Sequence, residues 1–183
     1  MKKVVISVLG YDRPGIVAAV SQTLFEHQCN IEDVSQTILQ TEFAGVFIAS
    51  IPDQQVEQHL LAGLQSKLAG LGLSIHLKKM TPAGEWTAPE SEPFVITTIG
   101  PDRLGLVAGM TDVMFRFGIN ITNLKAVFRG GEDPLSNVMI YEVDVPVETD
   151  QQAFRAALRE KAQELDLDVS LQHRDIFEAI HRV

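Results

Sequence analysis

The nine residues Gly10-Tyr11-Asp12-Arg13-Pro14-Gly15-Ile16-Val17-Ala18 return at an offset of 90 as Gly100-Pro101-Asp102-Arg103-Leu104-Gly105-Leu106-Val107-Ala108. The same offset relates Asn30-Ile31 to Asn120-Ile121. A single register held over such a span marks an internal repeat, so the chain is expected to fold as two units of one design. The expected boundaries are a first unit over 1–80, a linker over 81–92, a second unit over 93–175 and a tail over 176–183. Units of this size fold alone only marginally, and the two are expected to dock on apolar surface.

Several functional classes are disfavoured by composition. The formal net charge of −9 and the absence of a basic stripe argue against direct nucleic-acid binding, which draws on clustered Lys and Arg. Cys29 is the single cysteine, which excludes an internal disulfide and fits a reducing, cytoplasmic setting. Its plain reading is a small half-buried apolar residue. The apolar run Val4 to Leu9 is cut short by Asp12 and Arg13 and recurs internally as Phe94 to Ile99, so it reads as a core strand and not a secretory leader. No apolar run approaches the ~20 residues that span a membrane. His27, His59, His76, His173 and His181 show no metal spacing, and no Ser, His and Asp set stands out. No metal, cofactor or catalytic residue is expected.

Taken in order, the first copy begins with a β-branched strand at Val4 to Leu9. A helix follows from Pro14, with Ile16, Val17, Val20, Leu24 and Phe25 at helical spacing. Asp12 is its expected N-cap and Pro14 its first-turn residue. After a turn at Asn30, a second strand carries Val34, Gln36 and Ile38. Gly45 is expected to open a third, Val46 to Ile51, apolar enough to be central in its sheet. Pro52-Asp53 is expected to start the next helix, with Val56, Leu60, Leu64 and Leu68 inward and Gly70 and Gly72 at its end. Leu73, Ile75 and Leu77 then alternate with Ser74, His76 and Lys78 in a last strand with one wet face. The order β-α-β-β-α-β is the ferredoxin-like arrangement, an α+β fold with two helices on one face of a four-stranded antiparallel sheet.

Thr81 to Pro93 has the composition of a connector, and its Trp86 reads as a residue packed on a domain surface or as an interdomain clamp. The second copy repeats the order. Strands are expected at Phe94 to Ile99, at Ile121 to Phe128 and around Tyr141, Val143 and Val145, with helices over Leu104 to Phe117 and Asp150 to Glu164. Leu167, Val169 and Leu171 form the last strand. Arg129 to Pro134 makes a longer and more polar turn than its counterpart Gln40 to Gly45, and Ile176 to Val183 is either one helical turn docked on the sheet or disordered.

A helix that starts straight after a tight turn leaves backbone N–H groups unpaired, with partial positive charge for a carboxylate. Gly15 and Gly105 lack a Cβ, which admits a ligand to the backbone, and Asp12 and Asp102 could meet an ammonium group. Together these are the requirements of a free α-amino acid. The purely structural reading of the same residues has Asp as N-cap, Gly as packing residue and Asn30 or Asn120 as turn former. Gly118 already fills the left-handed end of the second helix, which leaves Asn120, and by analogy Asn30, free to bond the chain or a ligand. A dinucleotide site is excluded, since a third glycine is missing and Asp12 stands where a phosphate would lie.

At Asp12-Arg13-Pro14-Gly15-Ile16-Val17 with Asn30-Ile31 and Asp33, the chain resembles the ACT domain, a small regulatory module that binds amino acids. As a tandem pair with no catalytic part, it resembles the glycine cleavage system transcriptional repressor family. The resemblance implies a ligand held at an interface between modules. It implicates Asp12, Arg13, Pro14, Gly15, Ile16, Asn30, Ile31 and Asp33, and at the matching positions Asp102, Arg103, Leu104, Gly105, Leu106, Asn120, Ile121 and Asn123. Leu104 and Asn123 depart from the motif, so equal affinity at the two sites is in question. The expected protein is a cytoplasmic, non-enzymatic regulator of glycine or one-carbon metabolism that binds an amino acid, glycine or serine first. It is expected to act through a DNA-binding protein partner and to form a homodimer or higher assembly by ACT–ACT contacts. The alternatives are a ligand-free interaction or dimerisation module, and a regulatory remnant related to formyltetrahydrofolate deformylase or phosphoserine phosphatase without the catalytic domain.

Overall fold

The computed structural model describes residues 2–54, 56–80, 88–127 and 137–181, with side chains to 177. The chain divides into two units, Met1–Trp86 and Thr87–Val183. The first holds β1 (Lys2–Tyr11), α1 (Ile16–Glu26), β2 (Asn30–Leu39), β3 (Glu42–Ile51), α2 (Glu57–Leu68) and β4 (Ser74–Lys79). The second holds β5 (Ser91–Gly100), α3 (Leu106–Arg116), β6 (Asn120–Val127), β7 (Asn137–Pro146), α4 (Gln151–Glu164), β8 (Asp168–His173) and α5 (Arg174–His181). Each unit is a four-stranded antiparallel sheet, in the orders β2-β3-β1-β4 and β6-β7-β5-β8. Both copies are therefore the βαββαβ fold that the sequence leads one to expect.

Period-two alternation decides which side of each sheet is dry. In the first unit Val4, Ile6 and Val8 pair with Ala49, Phe47 and Gly45, and this face packs on Ile16, Val20, Leu24, Leu60, Leu64 and Leu68. In the second, Met139, Tyr141, Val143 and Val145 pack on Leu106, Met110, Val113, Met114, Phe154 and Leu158. The two most apolar strands, β3 and β1, are central, as burial requires.

Two local expectations are corrected and one open alternative is decided. Gly45 lies inside β3 and does not open it. A Cβ there would stand 2.8 Å from the Phe43 ring and 3.2 Å from Phe47, so the glycine makes room for two aromatic rings on one face. The second helix starts at Glu57 with Val56 as an extended, uncapped entry residue, so Pro52-Asp53 belongs to the connection before it. The tail takes the helical alternative as α5, which packs on β5 and β8. Arg174 lies 3.6 Å from Glu142, and Val95, on the sheet face away from α3 and α4, is only 3 % exposed. The connector around Trp86 and the turn Arg129 to Pro134 lie outside the described residues.

Tyr141 occupies in β7 the register that Phe47 has in β3, each paired with the central residue Ile96 or Ile6. It is fully buried, and its hydroxyl donates only to the Met139 Sδ at 3.3 Å. Burial pushes its pKa up to about 12 from the ordinary 10, because phenolate has no solvation there. The unfolded chain loses that proton first, so stability present below pH 10 falls as the pH rises toward 12. Tyr141→Phe should leave stability at pH 7 nearly unchanged and blunt the loss between pH 10 and 12, as read by urea melts across that range.

Candidate functional site

The repeated turn is built by a backbone dihedral. Gly15 has φ 97° and ψ −7°, and Gly105 has φ 90° and ψ 0°. These are the angles of the third position of a type II turn, where glycine is required and proline favours the position before it. Pro14 therefore serves the turn and not the first turn of α1. Leu104 can replace it because that position needs only an ordinary negative φ. A Cβ at Gly15 or Gly105 would meet nothing within 4 Å, so the demand is for the left-handed conformation and not for room. The earlier glycines differ. A Cβ on Gly10 would lie 2.8 Å from the Leu73 side chain, and one on Gly100 2.6 Å from the Asp166 carbonyl oxygen.

Neither α1 nor α3 is capped by a side chain. The N-cap residues are Gly15 and Gly105, so the expected role of Asp12 as N-cap is not met. A capping carboxylate works from the N-cap position itself, and Asp12 stands three residues too early. Its backbone N–H donates instead to the Thr41 carbonyl at 2.8 Å, tying the turn to the tip of the β2–β3 hairpin. The first helical bonds run from Ala19 N–H to the Gly15 carbonyl and from Gly109 N–H to the Gly105 carbonyl, at 2.9 and 2.8 Å. The N–H groups of Ile16, Val17 and Ala18, and of Leu106, Val107 and Ala108, precede them and have no intrahelical acceptor. In α4, by contrast, the Asp150 carboxylate accepts from Gln152 and Ala153 N–H at 3.0 Å each.

In the first unit these donors border an open cavity of about 180 Å³. It is lined by Asp12, Arg13, Gly15, Ile16, Val17 and Ala18, and from the sheet by Gln36 and Phe43. Ile16 and Phe43 are each 2 % exposed and close its floor, so Ile16 offers a ligand its N–H and not its side chain. Leu106, 3 % exposed, does the same in the second unit. Gln36 and Phe43 were missed by motif reading. The signal was the alternation in β2, where Gln36 is the polar residue between Val34 and Ile38 on the face that pairs with Phe47, Gly45 and Phe43.

The remaining motif residues stand elsewhere. Asn30 pairs with Ser50 while Gly10 pairs with Phe43, seven ladder positions along β3. At ~3.3 Å per residue that is about 23 Å, so one copy cannot bring both to a single small ligand. Ile31 packs on the core, and the register shift between Ile31 and Asp33 turns Asp33 onto the face away from the helices. Its counterpart Asn123 donates from Nδ2 to Glu142 Oε1 at 2.8 Å, the same carboxylate that meets Arg174. Asn120 and Ile121 line a second open cavity of about 540 Å³ with Ala108, Thr111, Asp112, Phe115 and Ile119. The left-handed residues after α1 and α3 are Gln28 (φ 57°) and Gly118 (φ 67°), which frees Asn30 and Asn120 from that role. Arg103 donates to the Glu164 carbonyl at 3.2 Å, whereas no described residue pairs with Arg13. Among the described residues no group of His, Cys, Asp and Glu could hold a metal ion, and no helix is long and apolar enough to cross a membrane.

Comparison with known proteins matches the ACT domain family model to residues 2–78 and again to 92–172. The chain belongs to the ACT domain family. α5 lies beyond the second ACT match. The chain is 48% identical over 56 residues to a UPF0237 protein of Methanopyrus kandleri, covering 31% of this chain and 62% of that one. It is 35% identical over 94 residues to a UPF0237 protein of Methanosarcina acetivorans, covering 51% of this chain and 98% of that one. Both ACT copies together are matched by the crystal structure of an unknown protein from Galdieria sulphuraria, at TM-score 0.76 and 25% identity over 94% of this chain and 98% of that one. A structure titled "putative glycine cleavage system transcriptional repressor" matches at TM-score 0.64 and 21% identity over 93% and 96%, a likeness of fold.

The dihedral argument for the ACT turn has a direct check in three glycines that all face open space. Ala at Gly15 or Gly105 should cost about 1–2 kcal/mol, the penalty for a side chain in the left-handed region. Gly70→Ala, at an ordinary dihedral, should be neutral or slightly stabilising. Urea denaturation of the three variants measures the difference, and equal effects at all three would refute the turn assignment.

Proposed function

We propose that this chain is a non-catalytic regulatory protein that binds a free α-amino acid at the turns before α1 and α3. The observation that carries the reading is the cavity beside Asp12, bordered by the uncapped N-terminus of α1, a start that the repeat reproduces at α3 with the same left-handed glycine. A ligand carboxylate would accept from the Ile16, Val17 and Ala18 N–H groups, and its ammonium would meet the Asp12 carboxylate. Asn30 lies too far along the sheet to join in the same copy, so a site that uses it is completed by another copy. That favours a homodimer or higher assembly. Phe25 and Phe115, 74 % and 81 % exposed at matching places on α1 and α3, are apolar surface for such contacts.

The downstream role is regulation of amino-acid metabolism, glycine and one-carbon units first, through a protein partner that carries the DNA-binding surface. Family membership, the tandem arrangement shared with the repressor-titled structure, and the acidic charge of −9 support it. Purified protein should show no measurable affinity for duplex DNA at physiological salt, and salt-sensitive gel shifts without a partner would remove the need for one.

A thermal-shift panel of the twenty amino acids tests the binding itself. At a hundred times Kd a ligand of the folded state contributes about 2.7 kcal/mol, on the order of 10–20 °C for units of this size. Asp12→Ala should leave the unliganded melting point unchanged and cut the response. A flat panel backed by null calorimetry would leave the ligand-free interaction module, which exposed Phe25 and Phe115 favour.

A further inference from the structure

The two copies share a register but not a site floor. Phe43, which closes the cavity of the first copy, pairs with Gly10. The residue paired with Gly100 is Asn137. Asn137 is 3 % exposed, and neither its Oδ1 nor its Nδ2 has a hydrogen-bond partner among the described residues. Two residues back along β5 is Thr98, fully buried with Oγ1 unpartnered, where the first copy has Val8. Both side chains face the helix layer. Thr98 pairs with Met139 and Val169, and Asn137 continues the buried row of Met139, Tyr141 and Val143 to the end of β7 next to the Pro101 to Gly105 turn.

A buried amide or hydroxyl without a partner is unfavourable, and proteins keep such groups where something pairs with them. Three such atoms gathered at one end of one copy, at positions that are apolar in its sister, mark a difference of chemistry and not a fault of packing. We propose that the second copy's site is selective for α-amino acids whose side chain both donates and accepts hydrogen bonds, a hydroxyl or a carboxamide, read by Asn137 and Thr98. The first copy, with Phe43 on its floor and Val8 in the core, makes no such distinction. This rests on the amino-acid-binding reading above. The ligand carboxylate is taken by the Leu106, Val107 and Ala108 N–H groups, and the side chain reaches inward to the amide, which supplies two donors and an acceptor.

Calorimetric titration of the full chain tests it, with serine, threonine, asparagine and glutamine against glycine, alanine and valine. The variants are Asp12→Ala, which weakens the first site, and Asn137→Leu and Thr98→Val in that background. With Asp12→Ala alone, at least one polar amino acid should bind at least tenfold more tightly than alanine. Adding Asn137→Leu should abolish that preference, and adding Thr98→Val should reduce it at least threefold. Thr98→Val is close to isosteric and keeps the test open if Asn137→Leu does not fold. Unliganded melting points of both should equal or exceed the parent's, since unpaired polar atoms are removed. If wild type binds a polar amino acid and both variants bind it within twofold of the parent, this proposal fails while amino-acid binding stands, and Asn137 is a packing or water-bridged residue. If wild type binds only apolar amino acids or glycine, this proposal alone fails, and if it binds none of the twenty, both fail.

Discussion

A helix can start at the end of β1 and β5 only because the chain passes through the left-handed region at Gly15 and Gly105. That dihedral reverses the backbone in one step and carries the first helical carbonyl on the glycine itself. No side chain is then available at the N-cap to accept from the helix, so three donors in each copy are left facing outward. The carboxylate that might have served, on Asp12, sits three residues back, and its own backbone N–H is spent on Thr41. The cavity at the first turn is thus a by-product of turn geometry, given its charge by the helix and its floor by β3.

Much of the fold was legible because hydrophobic period and repeat register point the same way. The β-α-β-β-α-β element order, the central place of β3 and the wet face of β4 follow from alternation and turn residues. The errors have one source, which is that Gly, Pro and Asp were read by their commonest local roles. Gly45 was taken as a breaker when its lack of a side chain accommodates Phe43 and Phe47. The common roles of Asp12 and Pro14 are cap and first helical turn, whereas here Pro14 holds the second position of a type II turn and Asp12 lies just before it. Of the candidate site residues, those of the first turn line one cavity, while Asn30, Ile31 and Asp33 stand elsewhere in the same copy. Their distance from the turn is set by ladder position and by the shift after Ile31, neither of which is visible in a linear motif.

The comparison of the copies shows where a repeat is free to diverge. Val20 and Met110, or Leu24 and Met114, exchange one apolar shape for another at the same buried place. Phe47 and Tyr141 differ by a hydroxyl that finds only a thioether. Arg13 and Arg103 share a motif position, yet Arg103 is held at the end of α4 by the Glu164 carbonyl. The Glu142 carboxylate, joined by Asn123 and Arg174, belongs to the second copy's link with α5.

The hairpins that supply β3 and β7 also bear on how each copy is assembled. β2 and β3 are joined through Gln40 and Thr41 alone, with Gln40 at φ 57°, whereas β6 and β7 are separated by residues 128–136. Closing the shorter connection costs less chain entropy, and its ladder is among the most local pairings in the sheet. The β2–β3 hairpin is therefore a natural nucleus on which β1 adds across its whole length, from Lys2 opposite Ile51 to Tyr11 opposite Glu42. The second copy must search a larger loop before the same rows align. Two domains of one architecture thus reach it at different speeds, with the N-terminal one, first to emerge in synthesis, having the shorter route.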